Sequence, residues 1–249
     1  MIRFKWTVIG YWGGYPGARE ASSGYLAEHE GFHLLVDCGS GVLAQLQSFV
    51  DIENLDAVIL SHYHHDHVAD IGPLQYARLV KSYTVGKLPE MPIYGHTVDD
   101  AGFARLTHQP YTKGVAYNPE QSLNIGPFMI SFMKTEHPVS CFAMRLEAGG
   151  KTIVYTADSA YLPGFADFAE GAELLVSECN FYAGQDGSEA GHMNSTEAAT
   201  IAKEAGADRL LLTHLPHFGD HEDLVKQARE VYAGQIDLAR IGWTWPASI

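Results

Sequence analysis

Apolar residues recur along this chain in short runs rich in Val, Ile and Leu, the pattern of buried strands more than of long helices. Strands are expected at Phe4–Ile9, Gly24–Glu28, His33–Asp37, Ala57–Leu60, Ile93–Tyr94, Phe128–Thr135, Phe142–Glu147, Thr152–Thr156, Leu174–Ser177, Arg209–Leu212 and Ile236–Ala239. The pair Gly149-Gly150 between two of these runs reads as a hairpin turn. Helical spacing predicts helices at Val42–Phe49, Gly72–Lys81, Thr97–Leu106, Thr196–Glu204 and Glu222–Tyr232. The fourth has start and stop signals: Asn194 or Ser195 can cap it, Glu197 falls in its first turn, and Gly206 follows its end. Early strands come as antiparallel neighbours and later ones alternate with helices. Two facing sheets with helices outside would bury both sets, an α/β (α+β) arrangement. No internal repeat, low-complexity tract or Pro/Gly-rich linker is visible, so residues 1–249 are expected to form one domain.

Composition narrows the partners. Of 249 residues, 46% are apolar and 18% charged, ordinary values for a globular chain with a sizeable core. The segment Met1-Ile2-Arg3-Phe4-Lys5-Trp6 lacks a long apolar core with a small-residue cleavage site, and no apolar run reaches the roughly 18 residues of a membrane-spanning helix. Three scattered cysteines, Cys38, Cys141 and Cys179, fit reduced thiols in a cytoplasmic protein rather than a disulfide framework. A net charge of −14 argues against nonspecific binding of long nucleic acid. It leaves room for a small anionic substrate if metal ions dominate the local field.

Thirteen histidines are many for this length, and several are patterned. In Ser61-His62-Tyr63-His64-His65-Asp66-His67, four potential ligands (His62, His64, Asp66 and His67) follow the strand Ala57–Leu60 on what reads as a tight loop. Imidazole and carboxylate donors in that density suit Zn, Mn, Fe or Ni, and no cysteine stands nearby to make a soft thiolate site. His137, Asp158 and His214 each follow a predicted strand singly, where a lone histidine is usually structural. All would lie on the same rim of the sheets as the first cluster.

The set His62-x-His64-x-Asp66-His67, His137, Asp158 and His214 resembles the metallo-β-lactamase superfamily and implies its four-layer αββα sandwich across essentially the whole chain. By that resemblance His62, His64 and His137 would hold one divalent ion, Asp66, His67 and His214 a second, and Asp158 would bridge them. Zinc is the expected metal, with Mn or Fe as alternatives. His65 occupies a variable position and is expected to point away. Asp37 matches a strand-end acid that steadies the ligands. Members that hydrolyse β-lactams carry Cys where Asp158 stands, and diiron oxygen-reducing members usually carry Glu where His64 stands. Neither activity is therefore expected.

Gly191-His192-Met193-Asn194-Ser195-Thr196 is similar to the Gly-His-Ser-Thr stretch of the ribonuclease Z-like branch, whose histidine faces the scissile phosphate. Ala172–Cys179 and Gly10–Gly17 are similar to the same branch. Only 20 residues separate His137 from Asp158, leaving no room for the protruding basic arm of long members. The resemblance thus implies a phosphodiesterase for a small or short phosphodiester, such as a cyclic nucleotide, acting through a metal-bound hydroxide. His192 and Asp66 are the expected catalytic residues. Lactone or thioester hydrolysis and ribonuclease Z-like RNA processing are the alternatives, with a non-enzymatic metal-binding protein behind them. Branch members are often dimers, so a homodimer is implied by resemblance alone. Tyr11, Trp12 and Tyr15 would either wall the pocket or pack the fold. His217 and His221 would belong to a solvated loop, and Cys141 is a residual ligand candidate near His137.

Overall fold

The computed structural model describes residues 4–246, so Met1, Ile2 and Arg3 of the N-terminal segment read above lie outside the described residues. In chain order the strands are β1 (Lys5–Gly10), β2 (Gly24–His29), β3 (Phe32–Val36), β4 (Ala57–Ile59), β5 (Met91–Gly95), β6 (Thr112–Ala116) and β7 (Leu123–Ile125). They continue with β8 (Phe128–Lys134), β9 (Phe142–Ala148), β10 (Lys151–Tyr155), β11 (Leu174–Glu178), β12 (Arg209–Thr213), β13 (Gln235–Leu238) and β14 (Thr244–Trp245). The α-helices are α1 (Val42–Leu46), α2 (His65–Val68), α3 (Ile71–Val85), α4 (Asp100–Ala104), α5 (Gly164–Phe168), α6 (Ser195–Glu204) and α7 (His221–Arg229).

These elements fall into two compact units. One runs through Asn118 and resumes at Arg240, and the other is Pro119–Ala239. Each contains one seven-stranded sheet, ordered β14-β1-β2-β3-β4-β5-β6 in the first and β13-β12-β11-β10-β9-β8-β7 in the second. The pairings repeat. In the first sheet β14 to β3 are joined antiparallel and β3 to β6 parallel. In the second, β7 to β10 are antiparallel and β10 to β13 parallel. No repeat is legible in the residues, yet the backbone uses the same plan twice. The plan matters for chemistry because loops leaving the C-terminal ends of parallel strands are where α/β sheets place ligands. Asp37 and His62 follow β3 and β4, while Asp158, Glu178 and His214 end or follow β10, β11 and β12.

The strands β4 and β11 are buried at every position, as strands covered on both faces should be. The unit-one core gathers Leu26, Leu35, Val58, Leu60, Leu74 and Ile93 under α1 and α3. Arg78 of α3 is also buried. Its guanidinium is accommodated by donating to the carbonyls of Ile52 (3.2 Å) and Pro89 (2.7 Å), which ties the helix to both loops. The predicted hairpin is present: Lys151 pairs with Ala148 across Gly149-Gly150.

The structure differs from expectation at the sheet margins. β6, β7 and β14 were not predicted, and all three are edge strands, short and partly exposed, with no apolar run to announce them. Helix α3 extends to Val85, whereas α1, α4 and α7 are shorter than predicted. Short α2 and α5 appear where no helix was predicted.

Helix α6 starts where its signals place it. Asn194 Oδ1 accepts from the amides of Thr196 and Glu197, both at 3.0 Å, and Glu197 Oε2 accepts from the Asn194 amide at 2.8 Å. Replacing Asn194 with alanine is expected to cost about 1 kcal/mol, read as a lower urea midpoint at unchanged slope. Among the described residues no helix is long and apolar enough to cross a membrane.

Candidate metal centre

In the first unit, β4 delivers Ser61 and His62 to the rim, and the chain then turns into α2. His62 and His64 precede the helix, while Asp66 and His67 sit within it, which corrects the reading of all four as loop residues. A single helical turn suits this role because adjacent positions project in different directions from one rigid piece of backbone. The turn is tied to the loop after β3: the Cys38 amide donates to His67 O at 2.7 Å and the Asp70 amide to Cys38 O at 3.1 Å. Gly39 permits the close approach, since a Cβ there would fall 1.9 Å from Asp66 O.

Asp37 is the organiser. It is fully buried, and its Oδ1 accepts from the Ser61 amide at 2.8 Å. Oδ2 accepts from Ser61 Oγ and lies 2.8 Å from His67 Nδ1. With its proton on Asp37, Ser61 Oγ becomes the acceptor for His62 Nδ1 at 3.0 Å. Both rings therefore carry their proton on Nδ1 and turn a lone pair outward on Nε2, the tautomer a metal-ligating histidine needs. The rings of His62 and His64 lie 4.9 Å apart and those of His62 and His67 4.1 Å apart. Asp66 Oδ2 lies 3.6 Å from His67 Nε2 and accepts from the Gly14 amide at 2.8 Å.

The residues between these candidate ligands point elsewhere. Tyr63 donates to His96 O at 2.7 Å and rests edge-on against the His96 ring, and burial pushes its phenol well above the usual range. His65 is exposed, as expected.

In the second unit, Asp158 Oδ2 lies 3.3 Å from His214 Nε2 and 3.9 Å from His137 Nε2. Both histidines have nearly buried side chains, and so does Asp158. His137 Nδ1 donates to Gly191 O at 3.0 Å, fixing the same tautomer as in the first unit. His214 is steadied by Asn180, whose Nδ2 donates to His214 O at 2.9 Å. Backbone strain concentrates at the corresponding strand ends: Asp37, Ala157 and His214 all have left-handed φ, at 58°, 51° and 50°. Such conformations cost about 1–3 kcal/mol each and tend to persist where side-chain direction matters.

His192 stands beside this half. Its Nδ1 lies 2.8 Å from Glu178 Oε1, and its ring is 5.3 Å from that of His137 and 5.0 Å from that of His214. Glu178 is fully buried and also accepts the amides of Ser159 and Asn180. Glu178 lies within the Ala172–Cys179 stretch noted above but was given no role; an acidic residue ending the buried strand Leu174-Leu175-Val176-Ser177-Glu178 was the available signal. Ser61 and Asn180 were likewise missed.

Ligand atoms in each half lie close enough to share an ion. His62 with His64, and Asp66 with His67, bring theirs within 4.8 Å, as do His137 with Asp158 and Asp158 with His214. Glu178, His192 and His214 form a further group on the same criterion, whereas Cys141 falls in none among the described residues. Cys38 and Cys179 are buried thiols, pushed well up by desolvation, and carry no nucleophile at neutral pH. Tyr11 and Trp12 both donate to Glu20, so of the three loop aromatics only Tyr15 is widely exposed. His221 is held by Pro216 O.

A family model described as a beta-lactamase superfamily domain matches residues 33–215, most of the chain and parts of both units. The chain belongs to the beta-lactamase superfamily. Within that superfamily it is 57% identical to "Probable metallo-hydrolase YhfI" of Bacillus subtilis (strain 168) over 241 residues, covering 97% of this chain and 99% of that protein. The crystal structure of YhfI superposes with a TM-score of 0.96 over 97% of this chain and 98% of the other. A "Ribonuclease Z" of Metallosphaera sedula is 26% identical over 274 residues, covering 92% of this chain and 94% of that one. The fold is thus the α/β metallo-β-lactamase type that the resemblance implied.

Proposed function

We propose that this superfamily member is a metal-dependent hydrolase of small or short phosphodiesters. The observation that carries the reading is the His192–Glu178 pair: an imidazole held by a buried carboxylate, ring to ring with His137 and His214. The donors suit divalent transition metals, being imidazole nitrogens in ligand-ready tautomers and carboxylate oxygens. His62, His64 and His137 would hold one ion, Asp66, His67 and His214 the other, with Asp158 shared and zinc the expected metal. Such ions supply Lewis acidity and bring the pKa of water towards roughly 7.

The chain's own residues do the rest. Asp66 orients the attacking water while its carboxylate is held by the Gly14 amide. Asp37, through Ser61 and His67, keeps two ligand rings from rotating. His192 Nε2 delivers a proton to the departing oxygen, and Glu178 holds the other nitrogen and balances the charge on the protonated ring. The net charge of −14 suits a compact substrate bound at a metal centre better than a long polyanion gripped by surface cations. The relatives named metallo-hydrolase and ribonuclease Z support hydrolysis in general and phosphodiester chemistry in particular.

The test is a panel on protein purified with its metals retained: bis-p-nitrophenyl phosphate, cyclic nucleotides, a homoserine lactone and a thioester. Turnover of the phosphodiesters, abolished by chelation, is the expected result. Turnover of the lactone or thioester alone would overturn the substrate class.

A further inference from the structure

The loop after β1 makes a contact that the proposed ligand set does not by itself account for. Gly10–Gly17 contains four glycines, so left alone it would sample many conformations. It is nevertheless held at three levels. At its base, the Tyr11 and Trp12 amides donate to Ala21 O at 3.0 and 3.2 Å, and the Ser22 amide donates to Ser40 O at 3.0 Å. Ser40 belongs to the turn after β3, the same turn that begins with Asp37. At its return, the Glu20 amide closes on Gly17 O at 3.0 Å, and Gln45 of α1 donates to Arg19 O at 2.8 Å. Across its middle lies the Glu20 carboxylate: Oε1 accepts from Tyr11 Oη at 2.8 Å, and Oε2 accepts from Trp12 Nε1.

Those two rings stack, with centroids 5.3 Å apart, so one carboxylate pins a rigid aromatic pair with one hydrogen bond per oxygen. Burial and the neighbouring Glu20 charge both push the Tyr11 phenol upward, so the hydroxyl stays a donor throughout the ordinary pH range. Two residues beyond Trp12, the Gly14 amide donates to Asp66 Oδ2 at 2.8 Å. An N–H on one oxygen fixes the rotation of a carboxylate, and with it the direction of the second oxygen. The loop therefore aims Asp66.

We propose that Glu20 is a positioning residue for Asp66, holding the Gly10–Gly17 loop in the shape that brings the Gly14 amide to the carboxylate. The inference rests on the proposed role of Asp66 as a metal ligand. Glu20 does not touch the substrate or an ion; it acts through Trp12, Tyr11 and the backbone between them. Supporting groups of this kind typically change metal affinity roughly ten- to hundred-fold when removed.

The experiment is zinc binding by the full chain after chelator treatment, read by competition with a chromophoric chelator. The variants are Glu20→Ala, Glu20→Gln, Trp12→Phe, Asp66→Asn and the double variant Glu20→Ala/Asp66→Asn, with thermal melts on each. Asp66→Asn should weaken one of two bound zinc ions. Glu20→Ala should weaken that same ion about ten-fold or more and leave the other in place. Glu20→Gln keeps one acceptor oxygen and Trp12→Phe keeps the ring, so both should lose less. In the double variant the Glu20 change should add little, because the group it positions is already altered. A purely structural role would move both ions together and add in full to Asp66→Asn. That pattern, or unchanged zinc affinity in Glu20→Ala and Trp12→Phe, would overturn the proposal. If Asp66→Asn itself leaves zinc binding unchanged, the ligand assignment of Asp66 fails first and this inference falls with it.

Discussion

Replacing Asp158 with alanine is expected to strip at least one of the two proposed ions from the protein and to lower turnover on the order of 10³-fold. The carboxylate is nearly buried, and its Oδ2 lies within 3.3 Å of His214 Nε2 and 3.9 Å of His137 Nε2. No other residue of the proposed ligand set reaches two histidines launched from different strands of that sheet. Its removal takes away both a donor and the negative charge that offsets cationic repulsion, and several kcal/mol of transition-state stabilisation go with the ion. Mass-spectrometric metal analysis of the purified variant gives the stoichiometry directly. Asp158→Asn is the informative companion, since it keeps a donor oxygen but loses the charge, and it should fall between wild type and alanine. Two ions retained at wild-type affinity in Asp158→Ala would remove the residue from the centre.

Much of this candidate centre could be read from the chain because several of its residues directly follow a predicted strand. His62, Asp158 and His214 sit just past apolar runs whose ends are easy to place; a lone histidine there is usually structural, and it was the combination with the His62-His64-Asp66-His67 cluster that pointed to chemistry. Asp37 was legible only through the family resemblance, and the structure supplies its partners, Ser61 and His67. What stayed hidden depends on contacts distant in sequence. The Gly14 amide reaches Asp66 across 52 residues, and Asn180 reaches His214 across 34. Neither pairing has any local signature. Glu178 was hidden differently: it follows Ser177 at the end of a buried strand, and its hydrogen bonds to His192, Ser159 and Asn180 are what give it meaning.

The fold shows the same division. Central strands carry continuous apolar runs and were placed within a residue or two, whereas β6, β7 and β14 could not be seen. An edge strand pairs on one side only and satisfies its backbone through a neighbour more than through its own side chains. The doubled sheet plan was invisible for a related reason. Pairing direction is set by how chain segments connect, so two sheets can share a topology while their residues diverge completely. The two sheets also share a side-chain feature: the acid after the first parallel strand, Asp37 in one and Asp158 in the other, lies against histidine nitrogens.

Replacing His192 with alanine is expected to lower kcat about 10²- to 10⁴-fold on a cyclic nucleotide while leaving the metal content and KM close to wild type. The expectation follows from where the ring is held. Glu178 is fully buried and takes His192 Nδ1 at 2.8 Å, so the imidazole is oriented from behind and its Nε2 faces away from the support. The side chain keeps 17% of its surface exposed, enough to meet a substrate, whereas the His137 and His214 side chains are nearly closed off. A proton donor matters in proportion to how poor the leaving group is. The loss should therefore be large for a ribose alkoxide and small for the p-nitrophenolate of bis-p-nitrophenyl phosphate, which departs readily without a proton. Glu178→Gln should show the same dependence at smaller amplitude, because it keeps a hydrogen-bonding partner but removes the charge that stabilises the protonated ring. If His192→Ala instead lowers the metal content, the residue is a ligand, consistent with its proximity to His214. If both substrates lose equally with metals intact, His192 binds the phosphate and does not protonate the leaving oxygen.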